Sequence, residues 1–348
     1  MGKITRIGMD TSKKVFQLHG VDEAGQVVLK KKLYRDRMLA FFAALAPTKI
    51  GIEACGAAHY WARELSKLGH EVVLIAAQHA KRYVKRNKND PADAAAICEA
   101  MSRPDMTFVP VKSVDRQAAL MLAGVRDRLT GTQTQIANSI RGYASEFGHV
   151  APTGLDKIDP LIAGLARDAT LPKLAREMFA TLAKEFAYVG KQLAAVEAKL
   201  MTWFKSNETS RRLDKIAGVG PVGASLLVLK TPAPHVFPSA RHFAAWMGLT
   251  PKDHSTGGKQ RLGSITHAGD ELLRSVLVAG AMSVCKVALR KPERVSPWLR
   301  ALVARKPLML AAVALANKNA RIAWKMMMTG EAYDATRSPR VAQLQAAA

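Results

Sequence analysis

Near its N-terminus the chain carries the stretch Ile4-Thr5-Arg6-Ile7-Gly8-Met9-Asp10, whose apolar side chains alternate as in a β-strand. The turn Asp22-Glu23-Ala24-Gly25 separates two more strand-like runs, 15–21 and 26–34, so the pattern predicts an antiparallel meander of three strands. The elements predicted next are a helix over 35–46, a strand over 49–53, a helix over 57–68 and a strand over 71–76. The first hundred residues therefore predict an α/β domain.

The predicted order β-β-β-α-β-α-β is typical of an RNase H-like sheet. Beyond it the pattern becomes helical over about 114–147 and again over about 173–205, on either side of a loop rich in Gly, Pro and Asp. The second helix has an apolar seam that steps by three or four residues, formed by Leu182, Phe186, Val189, Leu193, Val196 and Leu200. The two helices fit an antiparallel coiled-coil arm, and they fit equally well two helices packed on the neighbouring domain. From residue 211 onward the pattern predicts helices with Gly-rich turns.

The composition limits the class of protein. The 348 residues are 49% apolar and carry a formal net charge of +24, which predicts two or three folded domains and excludes a disordered chain. No apolar run approaches the ~20 residues that span a bilayer, the N-terminus lacks a secretory pattern, and Cys55, Cys98 and Cys285 have no metal or redox spacing. We therefore expect a cytoplasmic protein with buried, reduced cysteines. A charge surplus of this size favours nucleic acid as a partner over a basic surface without one, because phosphates would offset its self-repulsion.

Four carboxylates are predicted to converge in the α/β part. Asp10 ends the first strand and Glu53 ends the fourth, so neighbouring strands would bring both to one edge of the sheet. Asp90 and Asp93 flank Pro91, which predicts Asp90 as a helix N-cap and places both carboxylates on the first turn. Each acid alone could be a cap or turn residue. As a cluster in a cationic chain they require a cation, and oxygen ligands select Mg²⁺ or Mn²⁺.

A basic run lies directly upstream of the last two acids. Its cations are Lys81, Arg82, Lys85, Arg86 and Lys88. Two divalent cations about 4 Å apart can activate a nucleophile and stabilise the leaving oxygen in phosphodiester chemistry. A metal site beside a strand-binding basic run therefore predicts a nuclease or recombinase. The alternative is a solvated charge run with no partner.

Two motifs in the last third predict phosphate contacts. Residues 213–224 fit a helix-hairpin-helix, in which Gly218 and Gly220 let backbone N–H groups approach a phosphate, although a simple helical hairpin uses the same glycines. Residues 248–263 form a loop rich in glycine and hydroxyl groups. Its Ser255 or Thr256 could be a nucleophile, while the spacing alone favours a phosphate-holding role. Further cations expected to contact nucleic acid are Lys259, Arg261, Arg274, Arg290, Lys291 and Arg294.

Several segments together resemble the DEDD transposases of bacterial insertion sequences, the insertion sequence 110 family, whose members are bridge-RNA-guided recombinases. The resemblance extends over about residues 3–333. It is carried by Gly8-Met9-Asp10-Thr11-Ser12-Lys13, Ile52-Glu53-Ala54-Cys55-Gly56, Lys88-Asn89-Asp90-Pro91-Ala92-Asp93-Ala94, the Gly218-Val219-Gly220 hairpin and Ser255-Thr256-Gly257-Gly258-Lys259.

This resemblance implies a RuvC-like, RNase H-type domain in which the four acids are the metal-binding tetrad, and a second domain that contributes a catalytic serine. The segments expected are a catalytic domain over 1–110, a helical coiled-coil arm over 111–205, a mostly α transposase domain with the helix-hairpin-helix over 206–335, and a disordered tail over 336–348. Some family members have Ser directly before the Gly, where this chain has Thr256. In the subgroup with a Ser-Ser/Thr-Gly-Gly-Lys loop the first hydroxyl is the constant one. The nucleophile implied is therefore Ser255, with Thr256 as the runner-up.

The activity implied is the cutting and rejoining of DNA strands through a phosphoserine intermediate. The partners implied are donor and target double-stranded DNA, a bridge RNA that selects the target, and further copies of the chain in a dimer or tetramer at the bacterial nucleoid. No membrane partner is expected. One alternative is a metal-dependent nuclease like a Holliday-junction resolvase, in which water attacks and Ser255 holds phosphate. A second alternative, a non-catalytic helix-hairpin-helix binding protein, leaves the converging acids without a role.

Overall fold

The computed structural model describes residues 3–83, 90–104 and 106–334, except for the side chains of Gln78 and Arg82. The chain divides into two units, residues 1–114 and 115–348. The strands of the N-terminal unit are β1 (Arg6–Asp10), β2 (Val15–Val21), β3 (Val27–Tyr34), β4 (Lys49–Glu53), β5 (Glu71–Ile75) and β6 (Phe108–Val109). Its helices are α1 (Met38–Ala43), α2 (Ala58–Lys67), α3 (Ala77–Ala80) and α4 (Asp90–Ala100). The predicted order β-β-β-α-β-α-β is confirmed.

The six strands form one mixed sheet in the order β3-β2-β1-β4-β5-β6. The first three strands pair antiparallel, so the predicted meander is confirmed. Strands β1, β4 and β5 run parallel to one another, and β6 is antiparallel to β5. The sequence pattern missed β6 and α3, because elements of two and four residues are too short to show a hydrophobic period. It also made the helix over 35–46 too long, since residues 35–37 form a single 3₁₀ turn and α1 ends at Ala43.

The two faces of the sheet bury different partners. Ile7 and Ile52 point to one face, where they pack with Phe42 of α1 and Trp61 of α2 in a single hydrophobic core. On the opposite face β1 and β4 carry glycines where α4 crosses them. A Cβ atom added at Gly8 would lie 2.1 Å from the backbone carbonyl oxygen of Ala94 in α4. One added at Gly51 would lie 2.8 Å from the sulfur of Met101, the residue directly after α4. These glycines let α4 lie directly on the two central strands.

The rest of the chain is mostly helical. Its helices are α5 (Val114–Ser145), α6 (Ile158–Arg167), α7 (Lys173–Ser206), α8 (Glu208–Leu213), α9 (Pro221–Lys230), α10 (Ala240–Trp246), α11 (Glu271–Arg290), α12 (Pro297–Arg305) and α13 (Leu308–Thr329). One short antiparallel ribbon, β7 (Pro251–Asp253) and β8 (Leu262–Ile265), interrupts them. Helices α8 to α13 enclose the largest core of the C-terminal unit, around Leu213, Leu277 and Leu315.

The long helices α5 and α7 pair antiparallel, and Ala123 of α5 and Phe204 of α7 also pack in the core of helices α8 to α13, so features of both sequence interpretations are present. Arg126 of α5 forms a salt bridge of 2.8 Å with Glu197 near the end of α7, whereas the ring of Phe147, just after α5, meets Phe179 near the start of α7. The predicted seam contributes to their shared core, in which Phe186 and Val189 are buried.

The predicted loop between these two helices is not wholly a loop. It contains α6, whose Ile158, Leu161 and Leu165 are spaced by three and four residues and pack into the core of α5 and α7. The Gly-, Pro- and Asp-rich composition of the segment concealed this helix; its Pro160 falls in the first turn, where a helix loses no hydrogen bond by carrying proline.

Helix α11 corrects the expectation about apolar runs. It is long and apolar enough to cross a membrane, by length and composition only. The sequence reading missed it because Arg274 and Lys286 interrupt the run. Its Leu273, Leu277 and Ala281 are buried in the core of the C-terminal unit, as in the central helix of a globular domain.

Candidate active site

The first two acids of the predicted cluster stand side by side at one edge of the sheet. Strands β1 and β4 are parallel neighbours, and Met9 lies opposite Ile52 in their register. Asp10 and Glu53 are the next residue of each strand, so both carboxylates emerge at the carboxyl ends of the two central strands. Both side chains are partly buried.

Helix α4 supplies the other two acids. Asp90 and Asp93 both lie in its first turn. Asp90 is the first described residue of the helix, and the residues before it lie outside the described part of the chain, so the N-cap role of Asp90 stays a prediction. The close contact between Gly8 and the backbone of α4 at Ala94 brings this first turn towards Asp10, which lies two residues after Gly8.

The pKa of Asp10 is shifted by burial and by the charges of the other three acids. Burial and then the negative charges of Asp93, Asp90 and Glu53, in that order, together raise the pKa of Asp10 from its ordinary value to about 6. The backbone N–H of Thr11 acts in the opposite direction. The other three acids are therefore close enough to act on the ionisation of Asp10.

The chemistry of these side chains fits a hard divalent cation. Each of the four offers only carboxylate oxygens, which are the ligands that Mg²⁺ and Mn²⁺ prefer. Among the described residues, however, no three His, Cys, Asp or Glu side chains are close enough to hold an ion as they stand. The donor set suits a cation, while the ligand geometry is not preassembled.

Two residues that the sequence analysis had not assigned to a site stand beside the acids. Thr11 Oγ1 lies 3.0 Å from the sulfur of Cys55. Thr11 directly follows the end of β1, and Cys55 is the second residue after the end of β4. Cys55 is exposed, so the expectation of three buried cysteines was wrong here, although Cys98 and Cys285 are buried and all three are free. The sequence signal that could have indicated Thr11 and Cys55 was a short polar residue shortly after the end of a strand.

The basic run upstream of α4 is only partly described. Lys81 is exposed on a 3₁₀ turn that spans residues 81–83. The side chain of Arg82 and the residues Lys85, Arg86 and Lys88 lie outside the described part of the chain.

The hydroxyl-rich segment of the C-terminal unit is a β-hairpin, where the sequence predicted a loop in a helical region. Gly257 and Gly258 have positive φ angles of 56° and 77°, and Thr256 and Lys259 exchange backbone hydrogen bonds across them. Two consecutive residues with positive φ form the tight turn that glycine pairs favour in hairpins. The ribbon is exposed on both faces, so its sequence has no apolar alternation by which it could be recognised.

The two candidate hydroxyls of this hairpin differ in their surroundings. Ser255 Oγ donates a hydrogen bond to Asp253 Oδ1 and accepts one of 3.0 Å from the backbone N–H of Arg261. Thr256 joins the hairpin through its backbone, by N–H and C=O bonds to Lys259. The side chains of Lys259 and Arg261 are exposed beside Ser255 on the same ribbon.

The two glycines of the predicted helix-hairpin-helix have different structural roles. Gly218 has a φ of 87° and packs against α11, where an added Cβ would lie 3.0 Å from the carbonyl oxygen of Gly280. This glycine is needed for helix packing. Gly220 is exposed at the N-terminus of α9, and an added Cβ there would meet no atom within 4 Å.

The predicted nucleic-acid cations fall into two groups. Arg290, Lys291 and Arg294 are exposed around the end of α11. Arg274 is buried, because its guanidinium donates hydrogen bonds to the carbonyl oxygens of Ala268 at 2.7 Å and Met247 at 3.4 Å. The sequence assignment of Arg274 to nucleic acid was therefore wrong. Its position one turn into an apolar helix was the signal for an interior role.

Known transposases match the chain in both units. The family model for DEDD transposases of IS110 elements, described as "Transposase", matches residues 7–147, and the model described as "Transposase IS116/IS110/IS902 family" matches residues 210–304. The first match contains all four acids, and the second contains the hairpin with Ser255.

Full-length relatives give the same result. The chain is 57% identical over 332 residues to the y4pF/y4sB protein of Sinorhizobium fredii, named as a transposase, covering 95% of this chain and 86% of the relative. It is 42% identical to a protein described as a family 20 transposase from Pseudomonas aeruginosa, covering 95% and 98%. It is 36% identical to the transposase for insertion sequence element IS1328 of Yersinia enterocolitica, covering 96% and 99%. The chain belongs to the IS116/IS110/IS902 family of insertion-sequence transposases.

Proposed function

We propose that this transposase cuts and rejoins DNA strands through a phosphoserine formed on Ser255, with Mg²⁺ or Mn²⁺ held by Asp10, Glu53, Asp90 and Asp93. The convergence of the four acids around Asp10 is the observation that carries the proposal. Acids that raise the pKa of a neighbour in a chain of charge +24 carry an electrostatic cost that a bound cation removes. The nuclease chemistry of such a site is phosphodiester cleavage.

In the proposed step Ser255 Oγ forms a bond to phosphorus as the bond from phosphorus to the 3′ oxygen breaks. The bonding electrons leave with the 3′ oxygen, which takes up a proton, and the hydroxyl proton passes to solvent. A bound divalent cation supplies Lewis-acid polarisation of the phosphate and stabilises charge on the oxygens. The phosphoserine retains the phosphodiester linkage, so a second 3′ hydroxyl can reverse the step without ATP.

The wider assembly is proposed on the same basis. Residues 1–110 form a RuvC-like domain, and the order of antiparallel and then parallel strands supports this assignment. Residues 111–205 form a coiled-coil arm. Residues 206–335 form a transposase domain with a helix-hairpin-helix at Gly220. Exposed cations hold donor and target duplexes, a bridge RNA selects the target, and the chain acts as a dimer or tetramer in the bacterial cytoplasm at the nucleoid. The tail over 336–348 lies outside the described residues.

The proposal is tested with the purified full-length protein, a duplex spanning one end of its insertion sequence, and RNA transcribed from the adjoining untranslated flank. Asp10→Asn and Asp93→Asn should abolish Mg²⁺-dependent cleavage while leaving DNA affinity within a few-fold. Ser255→Ala should lose the detergent-resistant protein–DNA adduct, and Thr256→Ala should keep it. Full cleavage by Asp10→Asn in Mg²⁺ would remove the metal site from the mechanism.

Water is the competing nucleophile. Continued cleavage by a Ser255→Ala/Thr256→Ala double variant, with no adduct, would return the function to a metal-dependent nuclease in which the hairpin only holds phosphate.

A further inference from the structure

The carboxylate nearest to the Ser255 hydroxyl belongs to the hairpin itself. Asp253 Oδ1 accepts two hydrogen bonds from Ser255, one from its hydroxyl and one of 2.9 Å from its backbone N–H. Asp253 is the last residue of β7 and pairs with Leu262 of β8, so its backbone is fixed by the ribbon. One carboxylate oxygen therefore holds both the main chain and the side chain of Ser255.

The hydrogen bonds of Ser255 Oγ leave one direction open. A hydroxyl oxygen has one proton and two lone pairs. The proton points to Asp253, and one lone pair accepts the N–H of Arg261. The remaining lone pair is fixed in direction by these two bonds. Because the residue is exposed, that lone pair is available to a phosphate approaching the ribbon.

We propose that Asp253 is the positioning residue of Ser255, which aims the free lone pair of the hydroxyl at the scissile phosphate. This inference rests on the proposed role of Ser255 as nucleophile. Pre-orientation of a reacting atom lowers the barrier because the entropy of alignment is lost before the reaction begins. Asp253 touches no substrate in this mechanism and acts through Ser255.

The ionisation of Asp253 favours orientation over proton transfer. The hydrogen bonds from the Ser255 hydroxyl and then from its backbone N–H lower the pKa of Asp253 below its ordinary value. A carboxylate that binds protons less readily than usual is a weak base, and it stays ionised as a hydrogen-bond acceptor. Asp253 is accordingly assigned the orienting role, and the protons of Ser255 and of the 3′ oxygen exchange with solvent as in the step proposed above.

The test measures single-turnover adduct formation by the full-length protein with the same end duplex, RNA and Mg²⁺. Asp253→Ala should lower the rate constant at saturating DNA roughly 100-fold, which is the effect expected of a misplaced reacting group. The DNA concentration that gives half the maximal rate should stay within about threefold of the wild-type value, since Asp253 does not touch DNA. Asp253→Asn keeps an Oδ1 acceptor and should recover part of the rate. Gln260→Ala, on the same exposed ribbon, is the matched control and should react like the wild type.

Two results would overturn the inference. A rate constant for Asp253→Ala close to that of the wild type would show that the hydroxyl needs no such partner. An increase in the half-saturating DNA concentration in proportion to the loss of rate, with no recovery by Asp253→Asn, would show that the carboxylate only holds the ribbon together. The Ser255→Ala variant separates this inference from the proposed function. If Ser255→Ala still forms the adduct, Ser255 is not the nucleophile and the proposed function fails. If Ser255→Ala loses the adduct while Asp253→Ala reacts at the wild-type rate, only the positioning role of Asp253 fails.

Discussion

Among single residues, Asp10 carries the clearest physical consequence of the acidic cluster. Its pKa of about 6 in the folded protein exceeds the ordinary value of 3.8. Below about pH 4 the carboxyl is protonated in both the folded and unfolded states, so its place in the cluster does not lower the stability of the folded protein. Between about pH 4 and pH 6 the unfolded state releases this proton while the folded state still holds it, so the cation-free protein loses stability as the pH rises over that range.

The expected result is a variant more stable than the wild type at neutral pH. Without divalent cations, Asp10→Asn should melt at a higher temperature than the wild type at pH 7.5, and the difference should vanish at pH 4. Added Mg²⁺ should raise the melting temperature of the wild type and narrow the gap. The exposed Asp36→Asn is the control and should change little at either pH. A lower melting temperature for Asp10→Asn at pH 7.5 would mean that the acids do not repel one another.

Single residues also show what sequence reasoning could reach. The four acids were predictable, because strand ends and a helix start can be read from local pattern. The interior role of Arg274 was missed although its place one turn into an apolar helix indicated it, and the exposure of Cys55 depends on which loops pack around that residue. The pairing of Asp253 with Ser255 was missed because no pattern in this segment indicated a hairpin.

Among the secondary-structure elements, the contact of α4 with β1 decides where half of the acids stand. Gly8 allows the contact, because any larger residue would place its Cβ against the helix backbone. Backbone atoms cannot swing aside as a flexible side chain can, so the helix would have to move as a unit.

Gly8→Ala should therefore lower the free energy of unfolding by about 1–3 kcal/mol, as overpacking in a core does. Denaturant titration followed by circular dichroism measures the change. Gly56→Ala is the matched control, because an added Cβ there meets nothing within 4 Å. Equal unfolding free energies for the two variants would contradict the packing of α4 described above.

The end of α11 and the turn after it are where the predicted contact with nucleic acid can be tested. Between residues 286 and 325 the sequence has ten Lys or Arg and one acid, and Arg290, Lys291 and Arg294 are exposed. Each lost phosphate contact flattens the plot of log affinity against log salt by about 0.7 to 0.9, so neutralising all three should reduce the slope by roughly 2 to 3 units. The melting temperature should stay unchanged. An unaltered slope would make this an ordinary solvated surface.

The elements were predictable to the extent that they have a hydrophobic period. The meander and the paired helices α5 and α7 follow from alternation and from the three-four seam. Helix α6 and the β7–β8 ribbon were hidden, the first by the Gly-, Pro- and Asp-rich composition of its segment and the second by the absence of any buried face.

Across the two units, the proposed chemistry is divided. The acids belong to residues 1–114, and the proposed nucleophile Ser255 belongs to residues 115–348. Composition and charge indicated a nucleic-acid enzyme of several domains from the sequence alone. The identity of the nucleophile was the least determined part, because two hydroxyls stand next to each other and spacing treats them alike.

Mass spectrometry of the trapped protein–DNA complex distinguishes these hydroxyls. Digestion with nuclease and trypsin should release the peptide spanning residues 253–259, which contains both Ser255 and Thr256 between Lys252 and the cleavage site at Lys259. Fragmentation that preserves phosphoester bonds should place the nucleotide mass on Ser255. A nucleotide on Thr256, or unmodified peptide throughout a reaction in which the DNA is fully cut, would contradict the phosphoserine mechanism proposed for Ser255.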